Sequence, residues 1–240
     1  MSIDDQTFGE LLKARESFAP SDIPLAAAIL GDCAFTTKWA SGDNRRDLAE
    51  FAKRMNLSRA ETLDVAGNST IRADITAPLP PGLEGAFDMV LDIGTLYWCF
   101  DVAAGWRNCL ALLRPHGLIA HYSGLTGYFG RGYYNFHPRL FSDLYKANGF
   151  ERVVLKVRLR KFFEGRSWWR RVMLRFNPPA RDFIEIQSDE IFLNNATWRS
   201  LDFRARLETE AKVLPNDADI LCIASRGVAR PFANPMLSLS

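Results

Sequence analysis

The chain has 240 residues, 48% of them hydrophobic and 24% charged, and 30 Lys and Arg against 28 Asp and Glu leave a formal charge of +2. That composition is the one of an ordinary globular protein, not of a disordered or membrane-spanning chain, and the near-zero charge gives no whole-molecule argument for nucleic acid. The length suits one substantial core, so a single domain over residues 1–240, carrying an insertion, is expected.

The start, Met1 to Gln6, is acidic and has no apolar region, so no signal peptide is expected. The apolar run Ile23 to Leu30 is too short to span a bilayer. Cys33, Cys99, Cys109 and Cys222 show no Cys-x-x-Cys spacing and no histidine cluster, which argues against zinc or any other metal site and against a disulfide framework. A cytoplasmic protein is the default expectation.

Residues 1–20 read as an N-terminal helix, with Phe8, Leu11, Leu12 and Arg15 at helical spacing and Pro20 at its end. Leu25 to Leu30 is a first strand, followed by the turn Gly31-Asp32-Cys33-Ala34-Phe35. Arg45 to Leu57 reads as a helix with Leu48, Phe51, Ala52 and Met55 on one face and Asp43 as its cap. Short strands follow at Glu61 to Gly67 and Ile71 to Ile75, then the Pro-rich Ala77 to Gly82, then a strand from Phe87 to Gly94. A helical segment around Trp106 to Leu113 leads through the turn Arg114 to Gly117 into the apolar strand Leu118 to Tyr122. A helix from Phe141 to Ala147, stopped by Asn148-Gly149, precedes a strand from Phe150 to Val157. Strands alternating with helices predict βαβ units and a parallel sheet. Ligands of such sheets bind outside the carboxyl ends of the strands, where Asp64, Asp74 and Asp92 fall.

Residues 158–212 interrupt this order as an insertion before a last strand at Ala218 to Arg226, and 183–212 read as a strand and then a helix. Within it, residues 158–182 interleave cations with aromatic rings. That composition suits a membrane surface or lipid-linked substrate met through Arg158, Arg166, Trp168, Trp169, Arg170 and Arg171. It equally suits packing on the domain with the arginines left in water. Nucleic acid is the least favoured partner, having no motif behind it. Residues 230–240 read as a surface arm.

The segments Asp74 to Pro80, Phe87 to Leu96, Asn108 to Leu113, Arg114 to Gly117 and Tyr133 to Pro138, in that order, resemble the class I S-adenosylmethionine-dependent methyltransferases. Within them the likeness is to a bacterial subgroup with an Asp-Leu-Asn-x-Pro-Leu-Pro turn and a Gly-Thr-Leu-Glu-His-Val-Phe strand end. It runs over residues 25–150 and resumes at 218–226. The resemblance implies an α/β fold: a Rossmann-like seven-stranded mixed sheet, helices on both faces, the last strand antiparallel. It implies an enzyme that uses S-adenosylmethionine to methylate a small polar acceptor, a sugar or other hydroxyl compound. It places Gly31, Asp32, Asp64, Asp74, Ile75, Asp92 and Gly94 around the cofactor and Tyr97, Trp98, Tyr133 and Tyr134 around the acceptor. His137 and Tyr133 are the candidate bases.

The chain departs from that pattern in two places. The turn after the first strand has one glycine and the bulky Phe35, which fits either a modified cofactor turn or a pocket that has lost its cofactor. Tyr97-Trp98 stands where the subgroup has Glu-His, so a proton-transfer role there is absent. Several residues keep two readings: Asp64 as ribose ligand or cap, Asp74 as adenine contact or turn former, His137 as base or capping neighbour. His116 belongs to a turn and His121 to a strand interior. The alternative function is a non-catalytic binding or scaffold protein on the same fold, possible at a membrane surface. A nicotinamide enzyme is disfavoured because no Gly-x-Gly-x-x-Gly follows a strand.

Overall fold

The computed structural model describes residues 2–65, 67–126, 131–160, 183–186 and 217–235. Their elements are β1 (Ser2–Ile3), α1 (Asp5–Phe18), β2 (Leu25–Leu30), β3 (Ala34–Phe35), α2 (Asn44–Arg54), β4 (Leu57–Asp64), β5 (Ile71–Arg72) and β6 (Phe87–Ile93). After a short 3-10 turn at Leu96–Trp98 come α3 (Val102–Leu112), β7 (Leu113–Thr126), α4 (Pro138–Ala147), β8 (Phe150–Arg160), β9 (Ile184–Ile186) and β10 (Asp217–Arg226).

Eight strands form one sheet in the order β5-β4-β2-β6-β7-β10-β8-β9. The first five are parallel, and β10 lies antiparallel between β7 and β8. This is the expected seven-stranded mixed sheet with its last strand reversed. The short β9 adds an antiparallel edge beside β8. The Leu-Ala-Ala-Ala-Ile-Leu run of β2 is buried throughout, as a central parallel strand covered on both faces must be.

Strand alternation sorts the core into two layers. Ala28, Leu30, Val90, Ile119, Ile220 and Leu155 face Trp106 of α3 and Phe141 and Tyr145 of α4. Ala27, Ile29, Met89, Leu91, Ala120 and Leu221 face Leu11 of α1 and Phe51 of α2. The caps are as local chemistry dictates. Asp43 accepts from the Arg45 and Arg46 N–H groups (3.0 and 3.2 Å), and Asn148 ends α4.

Three local expectations shift. The N-terminal helix begins only at Asp5, because Ser2–Ile3 instead pairs in parallel with Ala34–Phe35. The segment Arg114 to Gly117 is a bulge within β7 rather than a loop before it: Leu113 pairs with Phe87, Leu118 with Met89, and His116 takes φ +58°. Arg15, placed on the helical stripe by spacing, is a buried cap. Its guanidinium donates to the carbonyls of Met55 (3.1 Å), Ala19 (3.1 Å), Pro20 (2.8 Å) and Ile23.

The basic aromatic segment requires a correction at its first residue. Arg158 does not face a membrane or solvent; it is 4% exposed and sits beneath α1. It bonds to Asp219 (3.2 Å), to Asp4 (2.7 Å) and to the Tyr122 hydroxyl, with its guanidinium also over the Phe183 ring. Two carboxylates and two rings hold it inward, and the alternation of β8 puts it on the α1 face. Arg166, Trp168, Trp169, Arg170 and Arg171, and nearly all of the insertion read at 158–212, lie outside the described residues. The described part of the C-terminal arm is docked on α4, where Asn148 exchanges two hydrogen bonds with Ala233 (2.8 and 2.9 Å). Among the described residues no helix is long and apolar enough to cross a membrane.

Candidate functional site

The chain runs from β2 outward to β4 and β5, then returns to the other side of β2 for β6 and β7. The carboxyl ends of β2 and β6 therefore flank a topological switch point, where open α/β sheets leave a crevice. Gly31-Asp32 follow β2, Asp64 ends β4, Asp74-Ile75 follow β5, and Gly94-Thr95 follow β6.

Hydrogen bonds tie these ends together. Gly31, at φ +84°, donates its N–H to Leu63 O (2.8 Å), and the Asp32 N–H donates to Asp64 Oδ2 (2.9 Å). Asn44, at the start of α2, donates to Asp32 Oδ1 (3.0 Å). Across the crevice, Thr95 Oγ1 donates to Leu30 O (2.8 Å). A Cβ on Gly31 would lie 2.5 Å from that Thr95 oxygen and 3.8 Å from Asp64 Oδ2, so this position admits only glycine without displacing Thr95.

Asp92 is fully buried. Its Oδ1 accepts from the Thr95 and Leu96 N–H groups (2.8 and 3.2 Å), and its Oδ2 meets His121 Nδ1 (2.9 Å). It shapes the loop beyond Gly94 from beneath. Asp74 is exposed and closes a turn, accepting from the Thr76 N–H and Oγ1 (both 2.8 Å). Asn108 of α3 clamps the same turn by donating to Ile75 O (2.7 Å) and Ala77 O (2.6 Å). Ile75 is 5% exposed and packs in the core layer under α3. The structure thus brings Gly31, Asp32, Asp64 and Thr95 into direct contact, with Asp92 and Gly94 behind them. Phe35 does not enter this crevice, because it packs against Trp39 and Phe51 on the α2 side (5.6 and 5.5 Å).

The side chains expected around the acceptor divide into two kinds. Tyr97 is 2% exposed, and burial, outweighing the nearby Trp98 and Arg131, raises its phenol's pKa. Its carbonyl accepts from the Tyr133 and Tyr134 N–H groups (2.7 and 3.2 Å), so it organises the loop more than it faces a ligand. Trp98, Phe100 and Tyr133 are exposed together beside the crevice, and Tyr134 OH donates to Phe100 O (2.8 Å). His137 caps α4, Nδ1 accepting from the Arg139 N–H (3.1 Å). Partial burial and then the Arg139 charge push its pKa below the usual imidazole value.

Sequence reasoning missed Thr95, Asn44 and Asn108. Thr95 lies just past β6, Asn44 at the start of α2 and Asn108 within α3, and only the tertiary arrangement separates such short polar residues from ordinary caps and surface positions. Cys99 reports the field of the site. Burial, and then the charges of Asp92, Asp74 and Asp64, push its thiol up to about 11. At pH 8 its alkylation by iodoacetamide is expected to be on the order of a hundredfold slower than for an ordinary accessible thiol of pKa about 8.5. A mass-spectrometric time course checks this; labelling at the ordinary rate would contradict the combined effect of burial and the neighbouring carboxylates.

A second cleft, of about 680 Å³, opens at the opposite end of the sheet between α1 and the amino ends of β2, β6 and β7. On its wall Lys13 and Lys156 both pair with Glu10, and the strand-end carboxylates of the candidate site lie elsewhere.

No protein-family model and no curated protein matches this sequence. Solved structures do match. A SAM dependent methyltransferase from Archaeoglobus fulgidus aligns over 91% of this chain and 94% of its own, with a TM-score of 0.52 at 12% identity. The [4+2]-cyclase SpnF aligns over 92% of this chain and 81% of its own, at a TM-score of 0.47 and 12% identity. Phosphoethanolamine N-methyltransferase 2 of Haemonchus contortus, in complex with S-adenosyl-L-methionine, aligns over 92% of this chain and 52% of its own, at 0.46 and 14%. With the strand order, the first of these shows the fold: this chain has a Rossmann-like sheet of the kind found in that methyltransferase.

Proposed function

We propose that the protein is an S-adenosylmethionine-dependent methyltransferase whose donor site lies at the switch point between β2 and β6. The observation that carries this reading is the convergence of Gly31, Asp32, Asp64 and Thr95 at the carboxyl ends of adjacent strands. An acidic side chain at the end of the second strand from the switch suits a ribose diol. The crevice also has the right sign for the ligand. Asp32, Asp64, Asp74 and Asp92 lie at or just past neighbouring strand ends, and carboxylates so placed favour a sulfonium cation.

When bound, S-adenosylmethionine supplies an electrophilic methyl carbon. Asp64 and Asp32 would hold the nucleoside end, Ile75 would border the base, and the Gly94-Thr95 loop would form the wall opposite Gly31. The exposed Trp98 and Tyr133 would border the acceptor, here taken as a small polar compound with a ring or hydroxyl group. The residues' contribution is alignment of acceptor and methyl carbon, which for oriented reactants accounts for a large part of the barrier. Burial and the Arg139 charge lower the His137 pKa, but its Nδ1 is engaged as a helix cap, so proton removal from the acceptor is not assigned to it.

A second reading has a specific observation behind it. Thr95 fills the space over Gly31, and Asp64 is engaged with the Asp32 N–H, which suits a non-catalytic protein with a closed crevice. Calorimetric titration with S-adenosylmethionine and S-adenosylhomocysteine separates the two. Micromolar binding, weakened at least about tenfold by Asp64→Ala, is expected for a working donor site. Asp64→Asn, which keeps an acceptor for the Asp32 N–H, is expected to fall between. Absence of heat at millimolar ligand would remove the donor reading and leave the closed-crevice protein.

A further inference from the structure

We propose that His121 and Tyr145 are positioning residues that hold the Gly94-Thr95-Leu96 turn through Asp92. Asp92 of β6 and His121 of β7 are direct partners across the parallel ladder, so both side chains emerge side by side on the face covered by α3 and α4. Neither has any solvent exposure. The chain of contacts starts on α4, where the Tyr145 hydroxyl bonds to His121 Nε2. It passes from His121 Nδ1 to Asp92 Oδ2 (2.9 Å), and from Asp92 Oδ1 to the N–H groups of Thr95 (2.8 Å) and Leu96 (3.2 Å). It ends where Thr95 Oγ1 donates to Leu30 O, one residue before Gly31.

The direction of each bond follows from the donor inventory. A carboxylate accepting two backbone N–H groups takes a third donor at its other oxygen, so His121 carries its proton on Nδ1. In the neutral tautomer Nε2 is then an acceptor, and the Tyr145 O–H donates to it. Burial keeps the Tyr145 phenol protonated, its pKa pushed far above the ordinary value. The imidazole is also clamped in its plane, with the Trp106 ring centroid at 4.2 Å and Phe141 at 5.7 Å.

Filling this part of the core with apolar side chains would be at least as stable, since buried polar groups cost free energy unless each is satisfied. What the polar chain provides instead is a fixed orientation for Asp92. Asp92 in turn fixes two N–H groups of a turn that has no other side-chain cap. The functional consequence rests on the donor-site reading above; the mechanical effect on the turn does not.

The test combines two readouts in the intact protein. In His121→Leu, amide hydrogen exchange at Thr95 and Leu96 is expected to accelerate by about tenfold or more relative to β2 and β10 amides. The dissociation constant for S-adenosylhomocysteine is expected to rise by about tenfold. His121→Asn, whose amide nitrogen can donate to Asp92 in place of Nδ1, is expected to restore most of the Thr95 and Leu96 protection. Tyr145→Phe, which keeps the ring, is the variant to read if His121→Leu does not fold, with a smaller acceleration at the same two amides. Met55→Ala, a core truncation at the end of α2, controls for general destabilisation and is expected to leave both readouts within twofold of wild type. Unchanged exchange at Thr95 and Leu96 in His121→Leu and Tyr145→Phe would overturn the positioning role. If the wild-type protein binds no S-adenosylhomocysteine, the donor reading falls while the exchange readout still decides this one.

Discussion

Arg158→Ala is expected to lower the unfolding free energy by about 3–5 kcal/mol, the usual cost of removing one partner from a buried ion pair. Arg158 is 4% exposed and Asp219 fully buried, so the substitution leaves a carboxylate in the core without its cation. It also removes the bond to Asp4, which caps α1 by accepting from the Thr7 N–H (2.8 Å). Against a typical total of about 5–15 kcal/mol, such a loss is large. The pair Arg158→Leu with Asp219→Leu is expected to recover most of it, because two apolar side chains leave no buried charge. Urea unfolding of the three proteins decides the point; a loss below about 1 kcal/mol for the single substitution would put the tie in the class of surface pairs.

The same tie makes α1 acid-sensitive. Burial tends to raise the Asp4 carboxyl, but the Thr7 N–H and Arg158 outweigh it and hold the pKa below the usual carboxylate value. Glu10 is likewise lowered, its burial outweighed by the Lys156 and Lys13 bonds. With folded pKa values below the unfolded ones, the stabilisation is complete above the unfolded values near pH 4. It is lost as pH falls through the lower folded values. In Arg158→Ala the acid transition at α1 is expected to move to higher pH.

Gly31→Ala is expected to have the largest effect on the donor site. The residue sits at φ +84°, which costs an L side chain roughly 1–2 kcal/mol, and its new methyl group would lie 2.5 Å from Thr95 Oγ1. Thr95 must then leave Leu30 O, and the wall of the crevice moves with it. Binding of S-adenosylhomocysteine is expected to weaken by at least about a hundredfold, corresponding to about 2.7 kcal/mol. Gly42→Ala isolates the backbone strain, since Gly42 shares φ +84° but has no neighbour within 4 Å of the added carbon. It is expected to lose stability with little change in binding. Equal binding by Gly31→Ala and wild type would mean that the crevice beside Thr95 is not where the ligand sits.

Much of the candidate site's placement was legible before any folding because it depends on where strands end. Asp64, Asp74, Asp92 and Gly94 follow apolar runs, and a parallel sheet collects such ends on one side. What each of them does there was not legible. Asp74 proves to accept from its own turn, Asp92 is buried under the site, and Asp64 holds the Gly31 turn. Phe35 looked like an obstruction, yet a two-residue pairing with Ser2–Ile3 turns it to the α2 side.

The sequence by itself determined most of the order of strands and helices, the caps at Asp43 and Asn148, the placement of helices on both faces of the sheet and the strand ends where the candidate site lies. All of these follow from residue spacing of two, three or four, or from side chains bonding to their own turn. Only the tertiary structure decided that Arg158 points inward to Asp4 and Asp219, that His121 joins Asp92 to Tyr145, and that Thr95 closes over Gly31. Those partners are brought together by sheet order and register across long stretches of chain, and local spacing carries no trace of which distant group will satisfy a buried charge.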